Sequence, residues 1–240
     1  MVLVLGCNET VPENESLECP FDIDTLDFSF GIRYDDPSRY THPGEQSTLA
    51  DSFAIEIQNR FDTPEPTLKT ALAVCHWANQ TFSYSNAGGA MIGTPDVNDL
   101  FEDRTFYGCH SLALIIASTL RELGFPTVMI ETAGIQWAYD YRDGQTQSFS
   151  GHVMNEVFVD TRWILLDNNC TFVRDYDPLN PFIPMPSNSP YDYFVFAKGQ
   201  DFWDYSDGDS EFTHREMIAF TEYLPCYEVL FETVTYTWSN

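Results

Sequence analysis

The stretch that decides the fold is Phe106-Tyr-Gly-Cys-His-Ser-Leu-Ala-Leu-Ile-Ile-Ala-Ser-Thr-Leu-Arg-Glu-Leu-Gly-Phe-Pro126. Apolar residues recur in it at the three- and four-residue spacing of a helix with a broad buried face. Gly124 and Pro126 mark the end of that helix, and Cys109 stands at its start, directly after a glycine. The stretch therefore predicts a central buried helix with a cysteine in its first turn.

A cysteine at the start of a helix is a candidate nucleophile. The helix N-terminus supplies partial positive charge, which favours a thiolate, and unpaired N–H groups, which can hold a developing oxyanion. The position of Cys109 alone does not identify it as a nucleophile, because a buried helix cysteine without a chemical role is the commoner case. A nucleophilic Cys109 also needs a base and a group that orients the base.

The base and its orienting group are sought in residues 150–167, which predict two strands joined by Asp160-Thr161. If that pair forms a two-residue hairpin turn, the register makes His152 and Asp167 diagonal neighbours on one sheet face. Diagonal neighbours lie roughly 7–8 Å apart, within reach of the two side chains. A slip of one residue would put them on opposite faces. The hairpin therefore predicts that His152 and Asp167 complete a site around Cys109.

The rest of the chain predicts a mixed fold. Further helices are predicted over residues 49–61, about 64–80, a short segment after 94, and 213–224. Further strands are predicted over residues 127–130, 193–196 and 227–238, with loops over 133–151 and 175–190. Because a helix precedes antiparallel strands, we expect an α+β layer fold. Residues 1–20 are interpreted as a signal remnant or tether, and residues 21–240 as one domain.

The composition excludes several classes of partner. The 240 residues include 37 acidic and 11 basic side chains, for a formal net charge of −26. Such a surface repels phosphate backbones, so nucleic-acid binding is not expected. The chain contains no apolar run long enough to cross a membrane. The acidic run 204–211 does not fit an EF-hand loop, because its glycine falls one position early and position twelve would be Arg215.

The six cysteines show no metal pattern, since none forms a C-x-x-C pair. The sequence Met-Val-Leu-Val-Leu-Gly-Cys7 ends like a lipoprotein signal, in which a small residue precedes the lipidated cysteine. This predicts a lipid anchor at Cys7 and an extracellular or cell-envelope location, with coincidence as the alternative. If Cys7 is the lipid site and Cys109 a free thiol, four cysteines remain that allow three disulfide pairings or none: Cys19, Cys75, Cys170 and Cys226.

Three motifs together resemble the transglutaminase-like superfamily, whose core is a relative of the papain fold. They are Cys75-His-Trp77 to Phe82-Ser-Tyr84; Gly108-Cys109 through Arg121-Glu-Leu-Gly-Phe-Pro126; and His152, Glu156-Val157, Trp163 and Asp167. The resemblance covers about residues 64–173, under half of the chain. It implies a helix that carries the cysteine at its N-terminus and packs on an antiparallel β-sheet.

The resemblance also implies site residues. Cys109 would be the nucleophile, His152 the base and acid, and Asp167 the group that orients His152. The Cys109 N–H is expected to be the main oxyanion donor, with Tyr84 as a second, and His110 and Trp163 are assigned to the substrate rim. The family glycine often stands two residues before the cysteine, and here it stands one before. The tryptophan with which animal transglutaminases form an oxyanion hole has no clear match.

These residues predict a thiol enzyme that acts on peptide or protein amides through a thioester. The reaction would be hydrolysis by a cysteine peptidase or amidase, or acyl transfer by a protein-glutamine acyltransferase, and hydrolysis is favoured. No cofactor or metal is expected, and the oligomeric state is left open. The alternative is a catalytically silent binding or envelope module on the same fold.

Overall fold

The computed structural model describes residues 19–62, 65–86, 93–186, 192–231 and 235–240. The predicted lipid site at Cys7 and most of the predicted tether lie outside these residues. The helices are α1 Asp51–Phe61, α2 Leu68–Thr81, α3 Val97–Asp103, α4 Cys109–Glu122, α5 Ile135–Arg142, α6 Phe202–Ser206 and α7 Phe212–Tyr227. The strands are β1 Ser83–Tyr84, β2 Thr105–Phe106, β3 Thr127–Gly134, β4 Gly151–Val159, β5 Arg162–Leu166, β6 Phe172–Val173, β7 Phe182–Ile183, β8 Tyr193–Gly199 and β9 Trp238–Ser239.

The larger sheet has seven strands in the order β7-β8-β3-β4-β5-β6-β9, and every neighbouring pair is antiparallel. Helix α4 packs across β3 and β4, and α1, α2 and α3 pack against α4. The α+β class and the central helix on an antiparallel sheet are confirmed. None of the helices in the described ranges is long and apolar enough to span a bilayer.

Helix α4 is buried along nearly its whole length. The buried residues run without interruption from His110 to Arg121. At its C-terminal end, the Arg121 guanidinium donates to the Thr127 carbonyl and to the Ser47 hydroxyl. The arginine of the Arg121 motif therefore anchors the end of α4 to neighbouring loops. Similarly, the motif residue Glu156 is fully buried and pairs with Lys198 at 2.7 Å, so it links β4 to β8 across β3.

The hairpin forms in the predicted register. Val159 pairs with Arg162, and the two turn residues Asp160 and Thr161 both have positive φ, at 48° and 68°. This is the conformation of a two-residue turn whose twist matches the flanking strands. The register on which the site hypothesis depends is confirmed.

Two predicted segments differ from the secondary structure that the chain adopts. Residues 133–151 were expected to form a loop, but they contain α5, whose Trp137 and Ala138 are buried against α7. The predicted strand 227–238 is wrong over residues 227–230, because α7 continues to Tyr227 and a 3-10 turn follows at Glu228–Leu230, and strand β9 begins only at Trp238. Tyr227 lies on the same helical face as Phe220 and packs on the Phe194 ring. These tertiary contacts outweigh the preference of Tyr227 for a strand.

The structure selects one of the open disulfide pairings. Cys19 bonds to Cys226, and Cys75 bonds to Cys170. Cys109 is a free thiol. The second disulfide joins α2 to the turn that follows β5, which is the turn that carries Asp167.

Candidate active site

Cys109 is the first residue of α4, and the backbone before it is unusual. Gly108 has φ 151° and ψ −167°, a region that only glycine occupies readily. A Cβ at Gly108 would meet no atom within 4 Å, so the requirement for glycine comes from the backbone and not from space. The backbone N–H groups of the first helical turn have no partner within the helix. The geometry thus places the Cys109 sulfur beside free N–H donors.

Replacing Gly108 with alanine is expected to destabilise the protein by about 1–3 kcal/mol and to misplace Cys109. The matched control is Gly124→Ala, which imposes strain at φ 83° with equally open space at the far end of α4. Iodoacetamide alkylation of the Cys109 peptide, followed by mass spectrometry, measures the effect at the sulfur. We expect Gly108→Ala to slow alkylation more than Gly124→Ala does at equal loss of stability. Equal rates would contradict the positioning role of Gly108.

His152 and Asp167 are in direct contact. Nε2 of His152 lies 2.9 Å from Oδ2 of Asp167. The other carboxylate oxygen, Oδ1, accepts the backbone N–H of Asn169 at 2.8 Å. Asp167 is buried, whereas the His152 side chain keeps partial access to solvent. Because Asp167 occupies Nε2, Nδ1 is the ring nitrogen left to exchange a proton with Cys109.

The surroundings of His152 raise its pKa to about 10. Burial is the largest single influence and acts in the opposite direction, because it disfavours the charged ring. Hydrogen bonds to Asp167 and Cys109, together with the charges of both groups, outweigh burial. His152 therefore holds a proton firmly while it lines the same cavity as Cys109, which suits it to protonate a leaving group there.

Asn168 is a site residue that the sequence analysis missed. Its buried amide donates to the Cys109 carbonyl at 2.9 Å and to the Val153 carbonyl at 2.8 Å. One side chain thus ties the first residue of α4 to β4 beside His152. The signal in the sequence was a polar run directly after a strand, but its contact with α4 depends on how the turn folds back.

A cavity of about 190 Å³ opens beside Cys109 and His152. Its walls come from α4, β3, β4 and α7, and its lining includes His110, Glu131, Phe149, Thr213, His214 and Met217. On the other side of Cys109 lies a more open depression, whose lining includes Tyr84, Phe106, Asp167, Asn168, Met185 and Tyr193. Cys109 and His152 line both, so they stand where the two meet.

Glu131 is a buried acid in the cavity wall. Its Oε1 accepts the Thr213 hydroxyl at 2.6 Å, and its Oε2 has no hydrogen-bond partner. Burial raises the pKa of Glu131 to about 7, and the hydrogen bond from Thr213 opposes that rise. Near neutral pH this carboxyl is therefore close to the midpoint between its neutral and charged forms.

Glu131→Gln is expected to stabilise the protein at pH 8 and to have little effect near pH 4. The folded-state pKa lies above the usual value of 4.5, so the folded chain binds the Glu131 proton more tightly than the unfolded chain. The resulting loss of stability is absent below about pH 4.5, grows as the pH rises to about 7, and is constant above that. Its upper limit is about 3 kcal/mol, since one pKa unit corresponds to about 1.4 kcal/mol.

Urea unfolding at pH 4.5 and pH 8 measures this difference, with Glu222→Gln on an exposed position of α7 as the matched control. A Glu131→Gln variant with the same stability increment at both pH values would contradict the raised pKa.

The other predicted site residues have different surroundings. His110 lines the cavity, but it lies in the buried wall and not at the rim, with 5% of its surface exposed. Tyr84 borders the open depression beside Cys109, is 60% exposed and packs on Phe106; its role as an oxyanion donor stays a prediction.

The assignment of Trp163 to the substrate rim is wrong. Its ring is buried against Tyr34, Tyr40 and Phe158, and its indole N–H donates to the Tyr34 carbonyl. Four residues of extended strand separate Trp163 from Asp167, about 13 Å of chain. Its apolar ring therefore belongs to the core on the face of the sheet opposite α4.

Metal ligands do not gather around this site. Within the described ranges, no group of three or more His, Cys, Asp or Glu side chains is placed to hold a metal ion.

Comparison with known proteins shows a similarity over part of this chain. Residues 53–168 match the family model described as the Transglutaminase-like superfamily. No curated protein matches the chain. A crystal structure of a protein from Cytophaga hutchinsonii, named as a candidate cysteine protease, shares 16% identity with a TM-score of 0.48. The alignment covers 71% of this chain and 49% of that one, so this chain spans about half of that protein's length. The matched residues 53–168, just under half of the chain, hold α4, the hairpin and Asp167, and over them the chain is similar to the transglutaminase-like superfamily.

Proposed function

We propose that this chain is a thiol-dependent amide hydrolase that cleaves peptide or protein substrates with Cys109, His152 and Asp167. One observation carries the proposal: His152 contacts Asp167 through Nε2 and lines the same cavity as Cys109, which stands at a helix N-terminus. A nucleophile, a base and an orienting carboxylate in one chain of contacts are the elements of thiol acyl transfer.

The reaction begins with the Cys109 thiolate, which attacks the carbonyl carbon of the substrate amide. The negative charge that develops on the carbonyl oxygen is stabilised by the Cys109 N–H at the start of α4. The C–N bond then breaks as imidazolium His152 gives its proton to the leaving amine, and a thioester remains on Cys109. Neutral His152 next takes a proton from water, whose oxygen attacks the thioester carbon. The C–S bond breaks, which releases a carboxylic acid and restores the Cys109 thiolate beside imidazolium His152.

The positions of the cavity and the depression suit a chain-like substrate. Because they meet at Cys109, an extended substrate can place groups on both sides of the bond that is cleaved. An amine bound in place of water would resolve the thioester by transfer. Transfer is therefore the second outcome that the assay must separate from hydrolysis.

The experiment has two stages. Alkylation of Cys109 by iodoacetamide at pH 6 tests activation, since a thiolate paired with imidazolium reacts faster than a model thiol, which is mostly protonated at that pH. A peptide library is then incubated with and without an amine donor, and cleavage, ammonia release and amine incorporation are followed by mass spectrometry. The control is Cys109→Ala, which keeps the fold and removes the sulfur.

Each outcome separates the candidates. Cleavage that depends on Cys109 supports the hydrolase, whereas ammonia release with amine incorporation supports a transferase. A Cys109 thiol no more reactive than a model thiol, together with no turnover, overturns both and leaves the silent binding module.

A further inference from the structure

The cavity beside Cys109 has an exposed rim and a buried polar end. At the rim, the Phe149 ring stacks on His214 with 4.1 Å between centroids, and Phe149 is 36% exposed. At the buried end, Glu131 is 3% exposed and His110 is 5% exposed. The cavity volume of about 190 Å³ is larger than the roughly 150 Å³ that holds a benzene molecule in a protein core. It is therefore large enough for one long side chain.

The buried end carries polar atoms without partners. Glu131 Oε2 and both ring nitrogens of His110 are buried and make no hydrogen bond. The Tyr205 hydroxyl lies close enough to the Glu131 carboxyl for each to shift the pKa of the other. Neither the free oxygen Oε2 nor the Tyr205 hydroxyl has a hydrogen-bond partner among the described residues. Buried polar atoms are normally paired, so this group of atoms is accounted for if a ligand completes it.

The charges at the buried end favour a cation. Burial lowers the pKa of His110 to about 4, so its ring is neutral and does not compete for Glu131. Among the described residues, the lining includes no Lys or Arg. An anionic ligand would place a second negative charge beside Glu131, and an apolar ligand would leave its free oxygen unpaired. A cationic group donates to that oxygen and draws the carboxyl into its charged form.

We propose that this cavity is a specificity pocket for a cationic substrate side chain of the lysine or arginine type, with its charged tip at Glu131. The inference rests on the proposed function, because it assigns the pocket to the substrate of Cys109. The aliphatic stem of such a side chain packs along Met217 and Phe149 while its tip reaches the carboxylate. The net charge of −26 also attracts cationic substrates to the surface.

The pocket is assembled partly outside the superfamily core. Thr213, His214 and Met217 come from α7, which lies beyond the matched residues 53–168. The segment that supplies Cys109, His152 and Asp167 therefore leaves the pocket incomplete. The matched segment supplies Glu131, and the C-terminal part of this chain closes the pocket around it.

A binding assay tests the pocket without any substrate turnover. The probe is n-butylammonium, the tip of a lysine side chain, and 1-butanol and butyrate are its neutral and anionic counterparts, all at one ionic strength held with sodium chloride. Each is tested for protection of Cys109 against iodoacetamide, and the Cys109 peptide is quantified by mass spectrometry. We expect n-butylammonium to slow alkylation with a dissociation constant of about 1–10 mM, as befits a five-atom fragment.

The variant for this test is Glu131→Gln, which keeps the side-chain volume and removes the charge. Protection by n-butylammonium should weaken by roughly 10-fold to 10²-fold in Glu131→Gln, because the cation then meets no carboxylate. In the exposed control Glu222→Gln, n-butylammonium should protect Cys109 as strongly as it does in the parent protein. Thermal melting confirms that each variant is folded. Equal protection by 1-butanol or butyrate, or full protection in folded Glu131→Gln, overturns the proposal.

Peptide turnover gives a second and separate readout. Peptides with lysine, arginine, norleucine, glutamine or glutamate at each position are compared by kcat/KM. We expect lysine or arginine to exceed norleucine by roughly 10²-fold at one position, and Glu131→Gln to remove that ratio. Protection of Cys109 by n-butylammonium without peptide turnover would support the cation pocket and contradict the hydrolase. Turnover with no preference for cationic side chains would support the hydrolase and contradict the cation pocket.

Discussion

Replacing Asp167 with alanine is expected to lower kcat by about 10³-fold to 10⁴-fold, by analogy with the loss of the orienting carboxylate in other triads. Asp167 holds His152 through Nε2 at 2.9 Å, and without it the ring loses its fixed orientation toward Cys109. The carboxylate is also one of the groups that raise the pKa of His152 to about 10. The variant therefore loses both the position and the charge of the base.

Asp167→Asn should give an intermediate loss. Asparagine offers one acceptor oxygen, whereas the carboxylate serves two donors, His152 Nε2 and the Asn169 N–H. The control is Asp175→Ala, an exposed position whose ion pair with Arg162 lies at the surface. The measurement is kcat on the peptide identified in the library. If Asp167→Ala retained kcat within a few-fold of the parent, as Asp175→Ala is expected to do, the triad assignment would be wrong.

The pH dependence gives the same hypothesis a second test. Because the pKa of His152 is raised to about 10, the ring stays protonated up to that pH, and turnover that needs imidazolium falls above it. In Asp167→Ala one raising influence is lost while the opposing burial remains, so the alkaline limb should move to lower pH. An alkaline limb that does not move would show that Asp167 does not act through His152.

The sequence was sufficient for the core of the site because the deciding features were local. A two-residue turn fixes a hairpin register, and that register alone brings His152 and Asp167 together. Likewise, Gly108 and the apolar periodicity that follows place Cys109 at the start of a buried helix. These predictions needed no knowledge of how distant segments pack.

The features that the sequence did not yield depend on distant packing. Glu131 stood as one charge at the end of an apolar run, and nothing in its own segment showed that Thr213 from α7 would meet it. Asn168 gained its role only when the turn after β5 folded back onto α4. Trp163 was misplaced because a motif indicates that a residue is present, but not which face of a curved sheet it covers.

Removal of the Cys75–Cys170 disulfide is the prediction that best separates folding from positioning. This bond joins residues 95 positions apart, and its loss is expected to cost about 4 kcal/mol by relaxing the unfolded chain. Cys170 also donates its N–H to the Asp167 carbonyl and so belongs to the turn that holds the Asp167 carboxylate. Asn79 on α2 supports the same turn by donating to the Asn168 carbonyl at 2.8 Å.

The double variant Cys75→Ala/Cys170→Ala should therefore lose activity beyond its loss of stability. A turn that shifts by about 1 Å can cost up to about 10²-fold in rate, so we expect kcat to fall between about 10-fold and 10²-fold well below the melting temperature. The matched control is Cys19→Ala/Cys226→Ala, which opens a longer link of 207 positions far from Asp167. It should lose at least as much stability, since the loop that it opens is longer, and yet keep kcat. Both double variants could instead lose activity only in proportion to the fraction unfolded. In that case the Cys75–Cys170 bond stabilises the fold and does not position Asp167. If the first alone lost kcat while folded, oxidation of this pair would be a condition for a working site.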